Sequence, residues 1–314
     1  MFLKKIMEIY DEVDRSNTSG ERVKKVFTER GWQLVNVKRI FGEKGHTDFI
    51  SIVIPGKNGK VNGGNAPTLG IIGRLGGIGA RPSVIGFVSD GDGAAAALTA
   101  ALKLVDMSLS GDILDGDVIV TTHICPNAPT EKHFPVYFMG SPVNMDQMNK
   151  LEVLEDMDAI VTIDTTKGNE IINHKGISIS PTVKEGYILP VSYDLIQIVK
   201  RVTGVKPNIF PLSIQDITPY SNDLSHINSI LQPATATSSP VIGAAITTEE
   251  SVAGCATGAS HFVDVELAAR FAVEVAKDFT SNKCSFYDEE NYKCLLKLYG
   301  DNKIFQTTGM PDNK

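Results

Sequence analysis

Four ionisable side chains follow predicted strands of this chain, at the positions where open parallel sheets hold their ligands. They are, in chain order, Asp90, Asp92, His123 and Asp164. Because the carboxyl ends of parallel strands meet at one edge of a sheet, we expect these side chains to share a crevice. Carboxylates and an imidazole in that place could hold a divalent metal that activates water, or could act as acid and base without a metal.

Each of these side chains also has an ordinary structural explanation. Asp90 or Asp92 could cap the alanine-rich helix that follows, with Asp92 better placed as the cap and Asp90 as the ligand. His123 could be a hydrogen-bonded histidine at a strand end, and a local turn could satisfy Asp164. The functional interpretation rests on all of them occurring at successive strand ends. It assigns catalysis to His123 and Asp92, and metal binding to Asp90 and Asp164.

A second polar cluster spans residues 215–226. If residues 221–230 are helical, Asn222 and His226 lie one turn apart on the same face, a spacing that suits a metal or substrate contact. An N-capped surface helix is the alternative. We assign Asn222 to substrate binding and His226 to metal binding, and His261, just before the last predicted core helix, is a weaker metal ligand.

Glycines are concentrated at 70–79, next to Arg74 and Arg81. The segment does not match the dinucleotide-binding or P-loop glycine patterns, and Pro82 blocks the helix that a pyrophosphate site requires. The two arginines with bare backbone amides could still bind a carboxylate or phosphate. Cys125, two residues after His123, could be a nucleophile if both side chains share a strand face.

Composition excludes several partners. The chain has 314 residues, 42% of them hydrophobic, and 30 Lys and Arg against 37 Asp and Glu give a net charge of −7. This balance argues against nucleic acid or an anionic membrane as partner, so a small molecule is expected. No signal-peptide core or disulfide framework is present, which favours the cytoplasm. Residues 224–248 carry no charge, which indicates a buried strand or a subunit contact in a homo-oligomer.

Alternating elements in the middle of the chain predict the fold. An apolar strand at 84–88 is followed by a helix at 94–107, a strand at 117–123, a helix at 144–155 and a strand at 158–164. This order predicts right-handed crossovers, and therefore an α/β three-layer sandwich with a mixed, largely parallel central sheet.

The flanking segments are predicted with less regular patterns. Residues 2–15 have the spacing of an amphipathic helix, and Thr18 with Glu21 has capping-box spacing before a second helix. The polar stretch 56–66 is expected to be a hairpin-like loop, and 68–72 a buried strand.

Three regions follow from these patterns. Residues 1–31 are expected to be an N-terminal helical segment, 32–281 the α/β domain, and 282–314 a C-terminal tail. Residues 176–220 could be an insertion or the continuation of the sheet.

The order of these parts resembles the zinc-dependent aminopeptidase and carboxypeptidase superfamily, which has a phosphorylase/hydrolase-like fold. The resemblance implies two bridged metals, with Asp90 as the bridging carboxylate, Asp164 as the later carboxylate and His261 as the late histidine. Two places depart from the pattern. Gly73-Arg74-Leu75-Gly76 replaces the His-x-Asp ligands, and Thr122-His123 replaces the Glu-Glu pair. The whole chain resembles more closely a bacterial protein family of unknown function that is distantly related to these hydrolases.

The sequence therefore predicts a hydrolase-like enzyme that acts on a small amide, peptide or amino-acid derivative, with zinc or manganese as the expected metal. A non-catalytic binding protein is the alternative, in which Arg74 and Arg81 hold an anionic metabolite. A metal-free acid/base enzyme that uses His123 is the third hypothesis.

Overall fold

The structure is a computed structural model that describes residues 1–74, 76, 86–132, 134, 136–166, 168–212 and 229–306. Within these residues lie the helices α1 Phe2–Val13, α2 Gly20–Thr28, α3 Asp92–Leu109, α4 Met145–Glu152, α5 Tyr193–Thr203, α6 Phe262–Thr280 and α7 Glu289–Tyr299. The strands are β1 Val35–Gly42, β2 Gly45–Ile54, β3 Leu69–Gly73, β4 Val118–Ile124, β5 Thr130–Glu131, β6 Phe138–Met139, β7 Ala159–Thr166, β8 Gly176–Ile179, β9 Thr182–Lys184, β10 Tyr187–Leu189, β11 Asn208–Ile209 and β12 Val241–Thr247.

The described strands form one mixed ten-stranded sheet and a small β5–β6 ribbon. The order along the sheet is β1-β2-β4-β3-β7-β12-β8-β11, with β9 joined to β12 and β10 to β9. The four central strands β4, β3, β7 and β12 run parallel, and β2, β8 and β9 pair with them antiparallel. The α/β prediction is therefore confirmed, with the parallel strands at the centre.

Helices cover both faces of the sheet because its central strands are apolar on both faces. On β3, Ile71 belongs to one core cluster and the next residue, Ile72, to the other. Helices α1, α3, α5 and α6 pack on the first face, whereas α4 and the 3-10 helix Ser229–Thr235 cover the second. The result is the predicted three-layer sandwich.

Local chemistry differs from the prediction at two turns near the N-terminus. Helix α2 is capped by Ser19, whose side chain accepts a hydrogen bond from the backbone N–H of Arg22, so Thr18 is not the cap. The hairpin lies between β1 and β2, and the polar loop 56–66 is a separate turn. Buried Asp117 holds that turn by accepting the N–H groups of Gly56 and Val61.

The strand predicted at 84–88 is not found in its described part. Residues 86–88 belong to none of the strands, and 84–85 lie outside the described residues. The strand that precedes α3 in the sheet is β3, and the 3-10 turn Ser89–Gly91 leads into the helix. Asp90 and Asp92 therefore follow a connecting segment instead of a strand end.

The later part of the chain continues the same sheet. Strand β8 pairs with β12 within the region 176–220, which accounts for that region as an extension of the sheet up to its last described residue, 212. The expected tail, 282–314, contains α7. Strand β12 is buried between β7 and β8, so burial within one chain explains the uncharged stretch there, and the subunit contact stays a prediction.

No helix among these described residues combines the length and the apolar character that a bilayer span needs.

Candidate functional site

The strand order reverses between β3 and β7. The connection through α3 leads from β3 to β4 on one side, and the chain then returns through α4 on the other face to β7, on the opposite side of β3. Ligands of open α/β sheets bind outside the carboxyl ends of the strands at such a reversal, because the connecting loops part there and leave a crevice. We call this place, with its flanking loops, the carboxyl-edge crevice.

The start of α3 packs closely against the backbone at the ends of β3 and β7, which border this crevice. The N–H of Arg74 donates to the carbonyl oxygen of Ile163 at 2.7 Å, which ties the end of β3 to β7. A methyl group on Gly93 would lie 2.0 Å from the carbonyl oxygen of Arg74 and 2.5 Å from that of Ile163. The first turn of α3, including Asp92, is therefore packed directly beside Asp164 at the end of β7.

We expect Gly93→Ala to lower the free energy of unfolding by roughly 1–3 kcal/mol, although alanine favours a helix, because backbone atoms cannot move away from the added methyl group. Urea unfolding measures the loss. Gly63→Ala is the control, since its methyl group meets nothing within 4 Å and its cost comes only from the positive φ of 77°. A loss at Gly93 no larger than that at Gly63 would contradict the tight packing.

Asp90 lies against the loop that follows β12. Its carboxylate accepts the N–H of Met139 at 3.2 Å, and its own N–H donates to the carbonyl oxygen of Gly254 at 2.9 Å. A Cβ on Gly254 would lie 2.2 Å from one carboxylate oxygen, so a larger residue there would have to displace the Asp90 side chain. Asp90 is only partly buried, so it is the carboxylate of this group with access to solvent.

Asp92 is the first residue of α3, and Gly91 occupies the N-cap position. The Asp92 side chain is completely buried and accepts a hydrogen bond from the hydroxyl of Ser260. Burial, followed by the negative charges of Asp14 and Asp92, raises the pKa of Tyr10 to about 12. The bond to Ser260 holds the segment that ends at His261, which is exposed at the N-terminus of α6.

Asp164 ends the apolar part of β7 and is 3% exposed. Its Oδ1 accepts the N–H of the next residue, Thr165, at 2.6 Å, and both residues lie within β7. Beyond it, the Ser251 hydroxyl donates to the carbonyl oxygen of Gly168 at 2.9 Å, so the loops after β7 and β12 are joined. The structure thus brings Asp90, Asp92, Asp164 and His261 to one edge of the sheet.

A buried ion pair lies beside the crevice, between the end of β3 and helix α4. Nε of Arg74 is 2.7 Å from Oε2 of Glu152, and both side chains are fully buried. The other guanidinium nitrogens donate to Oδ1 of Asn149 at 2.7 Å and to Sδ of Met145 at 2.8 Å. These contacts point the guanidinium of Arg74 at α4, whereas the sequence assigned it to substrate.

His123 contacts Glu152 of the same ion pair and is also buried, with 1% of its surface exposed. Its Nε2 accepts the N–H of Gly76 at 3.1 Å, so Nδ1 carries the proton and donates to Glu152. Both ring nitrogens are engaged inside the protein, which favours the structural explanation given for this histidine. Burial raises the pKa of Cys125 to about 11, so its thiol is protonated at neutral pH.

Burial works to raise the pKa of Glu152, but the charge of Arg74 and the hydrogen bond from His123 outweigh it and hold the pKa below its ordinary value of 4.5. A folded pKa below the unfolded pKa stabilises the protein above the unfolded value, and this contribution is lost as the pH falls through the folded pKa.

We therefore expect the free energy of unfolding to fall below about pH 4.5, and to fall less steeply in Glu152→Gln, which has no carboxyl group to protonate. Urea unfolding from pH 6 down to pH 3 measures the two slopes, and equal slopes would contradict the assignment.

Sequence reasoning missed Glu152 and Asn149. Helix α4 carried one signal, because Met145, Asn149 and Glu152 lie at helical spacing on one face with the buried Met148. A charged side chain on an apolar face points to a buried partner, but it does not say which one. Three further predicted site residues, Arg81, Asn222 and His226, lie outside the described residues.

The sequence model of the family described as "Protein of unknown function (DUF1177)" matches residues 38–309. The chain belongs to this family. None of the curated proteins matches this DUF1177 chain in sequence.

Solved structures show the same fold at low sequence identity. The bottromycin maturation enzyme BotP, in complex with Mn, is 13% identical with a TM-score of 0.54, covering 87% of this chain and 70% of BotP. The cytosol aminopeptidase from Coxiella burnetii is 14% identical with a TM-score of 0.52, covering 87% and 69%. A glutaminyl cyclase from Macrostomum lignano is 10% identical with a TM-score of 0.50, covering 90% of both chains. The DUF1177 chain therefore has a peptidase-like and cyclase-like fold.

The resemblance noted in the sequence implies metals, and the donor set of the crevice tests that implication. Among the described residues, no group of three or more His, Cys, Asp and Glu side chains is placed to hold a metal ion. The carboxylates that the pattern names already accept protein hydrogen bonds, from Met139 for Asp90 and from Thr165 for Asp164. The described residues therefore do not complete a metal site.

Proposed function

We propose that this DUF1177 protein is a hydrolase-like enzyme that acts on a small amide, peptide or amino-acid derivative in the carboxyl-edge crevice. The observation that carries the proposal is the placement of three carboxylates, those of Asp90, Asp92 and Asp164, at the point where the strand order reverses. Aminopeptidases and a glutaminyl cyclase with the same fold support the choice of substrate class.

The proposed roles follow from burial. Asp90 is partly exposed, so it is the group that contacts substrate and moves a proton at its carboxylate. Asp164, nearly buried at the end of β7, keeps the crevice acidic. Asp92 is a positioning residue, because its hydrogen bond with Ser260 holds the segment that presents His261. His123 and Arg74 form the wall behind the crevice through Glu152.

The proposal includes a small-molecule substrate in the cytoplasm and assembly as a homo-oligomer, with no role for nucleic acid or membrane. Zinc or manganese remains a hypothesis within it. Metal analysis of protein purified without a histidine tag, with Asp90→Ala as the control, tests this point. Absence of stoichiometric metal from both proteins would remove the metal hypothesis.

The experiment for the function is incubation of the full chain with a library of dipeptides, aminoacyl amides and N-acyl amino acids, followed by mass spectrometry. Hydrolysis of a library member that disappears in Asp90→Asn supports the proposal. If no compound is consumed, and the crevice binds a compound that survives unchanged, the enzyme proposal fails.

A non-catalytic binding protein is the second candidate function. The buried contacts of Glu152 favour this candidate. Arg74 and His123 stand at the positions of the expected metal ligands, and both bind Glu152 instead. Thermal-shift screening with carboxylated metabolites separates the two functions. A ligand that binds only the folded state raises the melting temperature. A ligand that survives unchanged indicates binding alone, whereas its consumption indicates catalysis.

A further inference from the structure

A second cavity lies at the other end of the sheet from the carboxyl-edge crevice. It has a volume of about 870 Å³ and is lined by Pro67, Asp158 and Pro240, which lie one or two residues before β3, β7 and β12. We call it the basal cavity. A strand of seven or eight residues separates the two ends by roughly 20–25 Å, so a ligand in the basal cavity cannot touch the residues of the crevice.

Two segments from distant parts of the sequence build the walls of the basal cavity. Residues 236–240 form one wall, and residues 282–287, which follow α6, form another. Lys184, the last residue of β9, lines the cavity between them. Its neighbours Glu185 and Gly186 form the two-residue turn between β9 and β10, with positive φ values of 47° and 79° as such hairpin turns require.

Aromatic rings and one carbonyl group hold the ammonium group of Lys184. Its Nζ lies 5.5 Å from the ring centre of Tyr287 and 5.2 Å from that of Tyr292, and it donates to the carbonyl oxygen of Ser238 at 2.5 Å. The side chain is 13% exposed. This largely buried cation therefore donates its hydrogen bond to a neutral carbonyl group, and the charged group near it is Glu185.

The negative charges near Lys184 are also bound to other groups. Glu185 forms a salt bridge with Lys184 at 4.0 Å, which is longer than a hydrogen bond, and its carboxylate also accepts the Tyr292 hydroxyl and pairs with Lys303 at 3.2 Å. Burial lowers the pKa of Lys184, the charge of Glu185 opposes this, and the charge of Lys303 adds to it. The net lowering means that Glu185 does not fully compensate the buried ammonium.

Three other carboxylates line the cavity wall. Asp158 pairs with Lys60 at 2.9 Å and accepts the N–H of Thr68, and Asp194 accepts the N–H of Ser285. Glu155 is exposed. Two of the three therefore have partners of their own, and the third lies in solvent, where its charge is screened.

We propose that the basal cavity binds a small oxyanion, the carboxylate or phosphate group of a metabolite, on the ammonium group of Lys184. The cation is already desolvated and held between two rings, so an anion gains a charge-assisted hydrogen bond without having to order the side chain. The volume of the cavity accommodates a metabolite-sized ligand. This second site is independent of the proposed enzyme activity.

Isothermal titration calorimetry of the full chain with inorganic phosphate, and separately with citrate, tests the proposal at neutral pH and low ionic strength. We expect at least one of the two to bind with one molecule per chain, and the anion that binds identifies the class. Lys184→Met should weaken that binding by roughly 10- to 100-fold, the effect of losing one charge-assisted hydrogen bond. The control is Lys283→Met, an exposed lysine of the same lining, which should change it by less than about threefold.

Protection of the wild-type protein provides a measurement that needs no variant. Acetylation by an N-hydroxysuccinimide ester, followed by mass spectrometry, should be slowed at Lys184 by the bound anion and unchanged at Lys283. The proposal is overturned if neither anion binds, if Lys184→Met binds as tightly as wild type, or if the anion leaves the acetylation of Lys184 unchanged. Asp90→Asn should bind the anion normally, which separates this test from the test of the crevice.

Discussion

Replacing Glu152 by glutamine should lower the free energy of unfolding by about 3–5 kcal/mol, the usual cost of removing one partner from a buried ion pair. Glutamine keeps the shape of the side chain but leaves the charge of Arg74 uncompensated where neither group reaches solvent. His123 also loses the charged carboxylate that accepts its Nδ1–H hydrogen bond. Urea unfolding at neutral pH measures the loss, which should appear as a lower midpoint with an unchanged slope.

Two further variants make this prediction specific. Glu290→Gln removes an exposed carboxylate that pairs with Lys293 and should change the stability by less than about 0.5 kcal/mol. The double variant Arg74→Met with Glu152→Gln should be more stable than the sum of the single losses predicts, because no uncompensated charge remains. A cost below about 1 kcal/mol for Glu152→Gln would show that solvent or another group reaches Arg74.

The same ion pair accounts for two polar side chains that are buried at the ends of neighbouring strands. Arg74 directly follows β3 and His123 lies near the end of β4, and either one alone would be a buried polar group without a partner. Glu152 compensates both, since it pairs with Arg74 and accepts from His123. The three residues act as one unit that joins β3, β4 and α4 behind the crevice.

The fold could be predicted because its signal is local. Alternation between apolar strands and a small-residue helix located α3, β4 and β7 to within a few residues. The ion pair could not be predicted, because Arg74 and Glu152 meet only through the packing of α4 on the sheet. The helix α7 was missed for a related reason. Its sequence is polar, and the packing of Tyr292 against Tyr287 and Lys184 is visible only in three dimensions.

The candidate site was predicted in part. Asp90, Asp92 and Asp164 were chosen as strand-end residues and do lie at the carboxyl edge, although the first two follow a connecting segment. Asp90 and Asp92 contact the loop after β12, which is distant from them in sequence, whereas Asp164 accepts the N–H of its neighbour Thr165. In that loop Gly254 contacts Asp90 and Ser260 contacts Asp92. Glycine and serine occur in many settings, so the sequence gives no sign of these contacts.

Asp90→Asn should reduce kcat/KM for the substrate found in the library screen by 100-fold or more, as expected when a group that transfers a proton is lost. Asparagine retains the oxygen that accepts the N–H of Met139, so the loop contact and the melting temperature should be preserved. The loss should therefore appear in the rate and leave the stability unchanged.

The control for this prediction is a second aspartate-to-asparagine substitution, at the other end of the sheet. Asp156 is exposed just before the amino end of β7, so Asp156→Asn removes an equal charge at a distance from the crevice and should leave kcat/KM within about twofold. If Asp90→Asn retains more than a third of the wild-type rate, the reacting group is another side chain. Asp164→Asn would then be the next variant to measure, since Asp164 is the remaining carboxylate at the strand reversal that is neither fully buried nor bound to Ser260.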